Sequence, residues 1–537
     1  MKPPCDEAVI GSARVAVLCR PEARTWILAA TILGSSMAFI DSTVVNVALP
    51  ALQASFHATV VDVQWVVESY GLFLGALILV GGSLGDRFGR RRMFLLGVAI
   101  FALASAACGL ALDIRQLIIA RSIQGAGAAL LVPGSLTIIS TSFDEKSRGQ
   151  AIGTWSGFTA ITTAVGPVLG GWLVEHASWR SVFFINLPLA AAVVAISVLW
   201  IPESRSAVAG RADWLGAILA TVGLGGLVSG FIESVNLGWG NQLVLGSLIV
   251  GFGCLVVFVF VEAKVTAAML PLELFKSPSF SGANLLTLFL YAAVGIFFFL
   301  LPLDLIQVQG YSATATGAAI LPWILLMFFL SRWSGGLVAR YGPRGPLILG
   351  PLIAALGFVL FAVPSVADGY WKAFFPAVVV LGFGMAVTVA PLTTVVMNSV
   401  EQDRVGAASG INNAVARVAG VLAIAVLGIV MVKAFGSRLD HDLAQFPLSP
   451  AILLELHANQ IKLAGLQVPV GVDSSTGTAI RESIAQAFVF GFRIVMLICA
   501  GLSLASAAVA WLMIAKDRER PGLAAGSWFS GQSFKQN

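Results

Sequence analysis

Apolar runs long enough to cross a bilayer recur along the whole chain between short polar breaks, and no other feature restricts its fold as much. About twenty such residues carry a helix across the hydrocarbon core. In lipid the backbone must satisfy its own hydrogen bonds, which leaves helices or closed barrels. Fourteen runs are read as helices, near 25–47, 64–84, 93–112, 116–140, 150–174, 182–201, 213–233, 242–262, 281–301, 315–337, 346–366, 373–398, 408–433 and 489–514. Only 11% of the 537 residues are charged and 58% are hydrophobic. Soluble domains carry about 25% charge, so the expected class is an all-α polytopic membrane protein with the lipid bilayer as its first partner.

The segment before the first run, Met1 to Arg24, has only a short apolar patch interrupted by Arg14, so the first run is read as an anchor and not a cleaved signal. Short cytoplasmic loops carry an excess of Lys and Arg. With the N-terminus inside, 21 of the 32 Lys and Arg fall on the cytoplasmic side and seven outside, so both termini are expected in the cytoplasm. The net charge of +5 then reports topology, not nucleic-acid binding. The five Cys and four His show no spacing for a disulfide framework or a metal, and no cofactor is expected.

One loop departs from the pattern. GSLGDRFGRR at 82–91 packs Asp86, Arg87, Arg90 and Arg91 between two apolar runs, and returns in weakened form as GGLVARYGPR at 335–344. Gly82, Leu84, Arg87, Phe88, Gly89 and Arg91 match or nearly match Gly335, Leu337, Arg340, Tyr341, Gly342 and Arg344. Such an internal repeat marks secondary transporters whose halves rock about a midplane site. Gly82 and Gly89 suit a tight turn with close helix approach, and Asp86 suits pairing with helix ends or arginines.

From here the sequence resembles the fourteen-helix drug:proton antiporters of the major facilitator superfamily. GSLGDRFGRRR looks like the superfamily's loop between helices 2 and 3, with Ala339 in place of the acid in the second copy. IDSTVVNVALP at 40–50, RSIQGAG at 121–127, AVGPVLGG at 164–171 and WRSVFFINLP at 179–188 extend the likeness over nearly the whole chain. The resemblance implies a major facilitator fold in a 6+2+6 arrangement. Residues 25–201 would form the first six-helix half, 202–280 two inserted helices with flanking loops, and 281–514 the second half with a long outer loop 434–488. Residues 1–24 and 515–537 would be cytoplasmic tails. The implied function is proton-coupled export of small, mostly hydrophobic compounds by alternating access, at the cell membrane or the inner membrane of a double-membrane bacterium. A membrane-fusion partner would suit the latter.

Ionisable groups inside a bilayer are costly and mark functional sites. Asp41, Glu68 and Arg121 reach nearly one depth at 1.5 Å per residue. Burial and a nearby arginine act oppositely on a carboxylate, which can poise it to take a proton on one side and release it on the other. The resemblance implies proton coupling for Asp41 and Arg121; Glu68 joins them by depth and charge. In helix 5, Gly153, Gly157, Ala160, Ala164, Pro167 and Gly171 line one face for close packing. Gly157, Gly166, Pro167, Gly170 and Gly171 are the expected antiporter residues there, and Pro167 invites a kink.

In the second half Asn412, Asn413 and Arg417 of helix 13, with Trp323, are candidate cavity residues. Relatives that export dications carry an acid in helix 13, whereas 408–433 has none, so a neutral, zwitterionic or anionic substrate fits Arg417 better. Asp304 and Arg493 read as interfacial. Rival readings are weaker. HATVVD at 57–62 and GGSLG at 81–85 imitate enzyme motifs, but the second needs a strand–turn–helix context. No lysine follows a glycine, which excludes a P-loop. A dedicated exporter of one endogenous metabolite or antibiotic is the nearer alternative.

Overall fold

The computed structural model describes residues 21–143, 145–205, 213–265, 270–366, 368–401, 405–469 and 472–515. The expected tails 1–24 and 515–537 fall almost wholly outside these. Fourteen helices follow the apolar runs: α1 Pro21–Phe56, α2 Val60–Phe88, α3 Arg90–Leu110, α4 Ile114–Ser142, α5 Glu145–His176, α6 Ser181–Trp200, α7 Trp214–Leu237, α8 Gln242–Glu262, α9 Pro278–Leu303, α10 in two stretches, Ala313–Ala319 and Leu321–Tyr341, α11 Arg344–Phe361, α12 Tyr370–Asn398, α13 Val405–Leu443 and α14 Ser474–Met513. Among the described residues thirteen are long and apolar enough to cross a membrane, and α5 matches them in length at 32 residues.

Local chemistry sets the breaks. Thr59 and Asp62 form a reciprocal cap at the start of α2. Pro322, whose missing N–H suits a first turn, restarts α10 after Ile320. Pro302 precedes a π-helical turn, Asp304–Val308, at the end of α9. The expected outer loop 434–488 is shorter than its bounds: α13 runs on to Leu443 and α14 begins at Ser474. The apolar count stops where the bilayer stops, but the helices continue beyond it, α13 tied by the Arg438–Asp442 pair at 3.0 Å. A short helix, Pro450–Ala458, and a 3₁₀ segment, Gln460–Gly465, fill the remainder.

The internal repeat is structural. In the first half α2 packs on α4, α3 on α4, α1 on α5 and α6; in the second α10 packs on α12, α11 on α12, α9 on α13 and α14. Helices α7 and α8 lie against each other, and α7 rests on α2 and α13. Val61, Val228, Ile232, Val421 and Ala425 form an apolar core where these three meet.

The halves touch unequally at their two ends. The face holding the α2–α3 loop and the start of α1 is called the basic face here. At the opposite face Gln307 donates to Gln53 at 2.9 Å, Gln64 to the Ile424 carbonyl at 3.3 Å, and the Thr314 hydroxyl to Glu175 at 2.5 Å. One apolar core crosses between halves there, joining Ala48, Leu49 and Val60 to Leu300, Leu439 and Leu463. Near the basic face the buried residues of a second core all come from the first half, with Ala414 of α13 packed against its edge. There, a Cβ on Gly85, Gly153, Gly335 or Gly336 would meet nothing within 4 Å. The molecule is closed at the opposite face and open at the basic face.

Candidate functional site

Asp41 lies in mid-α1, fully buried, and is held by three side chains from two helices. Arg121 of α4 donates Nη1 to Asp41 Oδ2, Gln124 donates Nε2 to Oδ1 at 2.8 Å, and Asn186 of α6 donates Nδ2 to Oδ1 at 3.3 Å. Arg121 is itself anchored. Its Nε donates to the Val66 carbonyl of α2 at 3.1 Å, its Nη1 to Gln124 Oε1 at 2.7 Å, and its guanidinium lies 4.2 Å from the Tyr70 ring centroid. Asn186 also donates to Ser105 Oγ of α3 at 3.0 Å. A carboxylate and a guanidinium are tolerated at such depth only when paired and hydrogen-bonded throughout, as here. Gln124 and Asn186 stand within the RSIQG and FFINLP motifs, but as neutral amides they carry no signal of depth or charge.

Glu68 is equally buried, on the α2 face turned to α13, and neither carboxylate oxygen has a hydrogen-bond partner among the described residues. A cavity of about 300 Å³ opens between the halves beside it, lined by Glu68, Tyr70, Arg121, Tyr291, Phe298 and Arg417 among others. Three candidates thus converge on it: Glu68, Arg121 and Arg417. Asn412 is held away, donating to Thr287 at 2.7 Å and to Asn284 at 3.2 Å of α9. Asn413 is exposed and bonds its own helix at Ser409. Trp323, 3% exposed, is packed in an aromatic cluster with Phe297 and Phe298, at 5.6 and 4.8 Å between centroids, and Tyr291 and Phe298 supply the rings of the cavity wall. Depth along a helix is readable from sequence; the face a residue occupies is not. Asp304, expected at the interface, is 2% exposed inside the π-helical turn, whereas Arg493 donates to the Val363 and Pro364 carbonyls.

The α2–α3 loop turns at Gly89, whose φ of 113° suits glycine. Asp86 accepts from Arg90 at 2.8 Å, and Arg87 lies 5.2 Å from the Phe88 ring. Arg91 donates to the Ile201 carbonyl at 3.0 Å. Glu203, which the sequence reading did not single out, accepts from the backbone N–H of Arg91 and Arg92, both at 3.2 Å, and so caps α3. The second copy repeats the device: Gly342 has φ 73° and Arg340 lies 5.3 Å from the Tyr341 ring. A Cβ on Gly82 would meet only Pro133, at 3.8 Å; the close approach is made by Gly81, against the Ala129 backbone.

Helix α5 packs on both halves. Gly166 and Gly170 face Thr43 and Val44 of α1, while Pro167 and Gly171 face Gly317 and Ala313 of α10. A Cβ on Gly317 would lie 2.5 Å from the Pro167 carbonyl carbon, and one on Gly171 would lie 2.8 Å from Thr314 Cα. The surroundings of Gly157 lie outside the described residues.

The site is thus a buried carboxylate–guanidinium pair on the wall of a cavity between two pseudo-repeated halves, open at one face. Comparison with known proteins agrees. The family model described as Major Facilitator Superfamily matches residues 31–424. The chain is 34% identical over 512 residues to the multidrug resistance protein Stp of Mycobacterium tuberculosis, covering 92% of this chain and 93% of that protein. It is 33% identical over 497 residues to the tetracenomycin C resistance and export protein of Streptomyces glaucescens, covering 91% of each. Among solved structures, the inward-facing bacterial homologue of the human lysosomal transporter Spinster superposes with a TM-score of 0.63 at 18% identity, over 92% of this chain and 98% of that one. The motif resemblance holds: the chain belongs to the Major Facilitator Superfamily, among its resistance and export proteins.

Proposed function

We propose that the chain is a proton-driven exporter of small, mostly hydrophobic compounds, working by alternating access. It is a multi-pass membrane protein and not an enzyme. The distribution of Lys and Arg orients the basic face and both termini toward the cytoplasm, in the cell membrane, or in the inner membrane with a membrane-fusion partner if the cell has two. In that orientation the structure is inward-facing. A substrate enters the cavity from the cytoplasm, the halves rock, and it leaves outside.

The observation that carries the reading is the buried Asp41–Arg121 pair, with Arg121 also lining the cavity. When Asp41 takes a proton it releases Arg121, whose contacts reach α2 and the cavity wall, so proton occupancy and cavity shape are linked. Each proton moving inward yields about 2.3 kcal/mol per 100 mV, enough for about 50-fold of substrate gradient at 1.36 kcal/mol per tenfold.

Transport in proteoliposomes under an imposed pH gradient tests this. Wild type should move substrate only with the gradient, and Asp41→Asn, which keeps the shape and loses the titration, should not. Undiminished gradient-driven export by Asp41→Asn would reject the assignment. A dedicated exporter of one metabolite is favoured by the cavity volume of about 300 Å³, the lower end of ligand pockets; a transport panel in which only one compound moves would select it.

A further inference from the structure

Two charged groups in the cavity are left over by the coupling pair. Glu68 is fully buried with both oxygens unpartnered, and Arg417 makes no hydrogen bond or ion pair with any described residue. They stand on facing helices whose register is marked at three levels: Gly428 faces the Gln64 side chain, and a Cβ built on Gly71 or Gly75 would lie 3.0 Å from Val421 or 3.6 Å from Arg417. Each step along α2 is matched by an equal step back along α13. Arg417 therefore lies level with Gly75, seven residues and about 10 Å along the axis from Glu68. Between them the wall is apolar and aromatic, with Tyr291, Val294 and Phe298.

We propose that this cavity binds a zwitterionic aromatic compound, its amine on Glu68 and its acidic group on Arg417. The inference rests on the proton-antiport reading, which restricts the charge class. A plain anion on Arg417 would bind better with Glu68 protonated, and so would travel with the proton. A plain cation on Glu68 would be excluded by protonation, as antiport requires, but would face Arg417 uncompensated. A zwitterion satisfies both cavity charges, which are costly to leave unpaired away from water, and protonation of Glu68 removes its amine site. Binding of proton and ligand then oppose each other reciprocally. The charged and titratable groups around Glu68 are Tyr70 on its own helix, Arg121 from α4, Tyr291 from α9 and Arg417 from α13. From α1 the cavity receives Ser42 and Asn46, with Asp41 turned to Arg121, and Glu233 of α7 is bonded to Trp65.

The test is equilibrium binding to the purified full-length protein in detergent, by calorimetry, without a gradient. Three probes share one scaffold: 4′-(aminomethyl)biphenyl-4-carboxylate, biphenyl-4-carboxylate and 4-(aminomethyl)biphenyl. The doubly charged probe should bind about tenfold or more tighter than either of the others, the scale of a hydrogen bond to a charged group. Arg417→Gln should weaken both carboxylate probes by a similar factor and spare the amine. Glu68→Gln, which imitates the protonated state, should weaken both amine probes and spare the carboxylate. Arg417→Lys and Glu68→Asp serve if the amide variants fail to fold, and should retain part of the binding. If the amine alone binds as tightly as the doubly charged probe and Arg417→Gln changes nothing, the cavity is a cation site and the proposal falls. If the carboxylate alone binds as tightly, it is an anion site and the proposal falls. Zwitterion selectivity without gradient-driven transport would sink the antiport reading and leave the binding assignment standing.

Discussion

Replacing Gly317 by Ala tests the closed seam between α5 and α10. The added methyl would lie 2.5 Å from the Pro167 carbonyl carbon and 2.8 Å from Val168 N, both backbone atoms of the other half. Carbon contacts are optimal at about 3.5–4.0 Å, so the two backbones must separate by about 1 Å. Overpacking of this kind costs about 1–3 kcal/mol. The clash exists only when this face is closed, so the whole cost falls on the inward-facing state. The equilibrium should shift toward the state open on that face by about five- to 150-fold. The assay is the rate at which a membrane-impermeant maleimide labels a single cysteine placed at Thr43, on the α1 wall behind Gly166. Labelling from the opposite face should rise in Gly317→Ala, and turnover should fall as closure becomes limiting. Gly246→Ala is the control, because a Cβ there meets nothing within 4 Å. Unchanged labelling and turnover in Gly317→Ala would refute the view that backbone contact across this seam sets the closed state.

Two further outcomes follow from the loops. Glu203→Ala should uncap α3, destabilising it by about 1 kcal/mol, with faster amide exchange at Arg91 and Arg92 and slower transport; unaltered exchange would show that the contacts are incidental. The hydroxyl and N–H of Thr314 hold the Glu175 carboxyl below its usual range. A lowered folded-state value means that this cross-half contact contributes above the ordinary carboxylate range and is lost as pH falls through the lowered one. Acidification should therefore favour opening at that face, and Glu175→Gln should flatten the pH dependence of maleimide labelling; an equal slope in both proteins would count against it.

Helix number and order were readable because a bilayer demands a run of about twenty apolar residues each time it is crossed, and Asp41 and Arg121 stood out because charge is rare inside such runs. Their partners did not. Gln124, Asn186 and Ser105 are uncharged, and only the fold shows that Gln124 and Asn186 meet on one carboxylate while Ser105 holds Asn186 in place. Trp323 has the right depth but the wrong face, and Glu203 acts through a contact more than 100 residues away in the chain. The extensions of α13 and α14 were hidden for a different reason: hydropathy ends at the membrane surface, while helical hydrogen bonding continues past it.

The seat of α7 against α2 and α13 makes the transporter one-sided toward lipid. Trp65, Phe231 and Leu422 pack around the core that joins these helices, so the α2–α13 junction is sealed from the acyl chains at this point. Among the described residues, α7 and α8 pack on each other, and α7 on α2 and α13, on the other side of the molecule from the junction of α5 with α10. A greasy compound dissolved in the inner leaflet should thus slip in sideways between α5 and α10. A photoactivatable lipophilic probe added to membranes should label those two helices and spare α2 and α13, and equal labelling of both junctions would show that the inserted pair is no barrier.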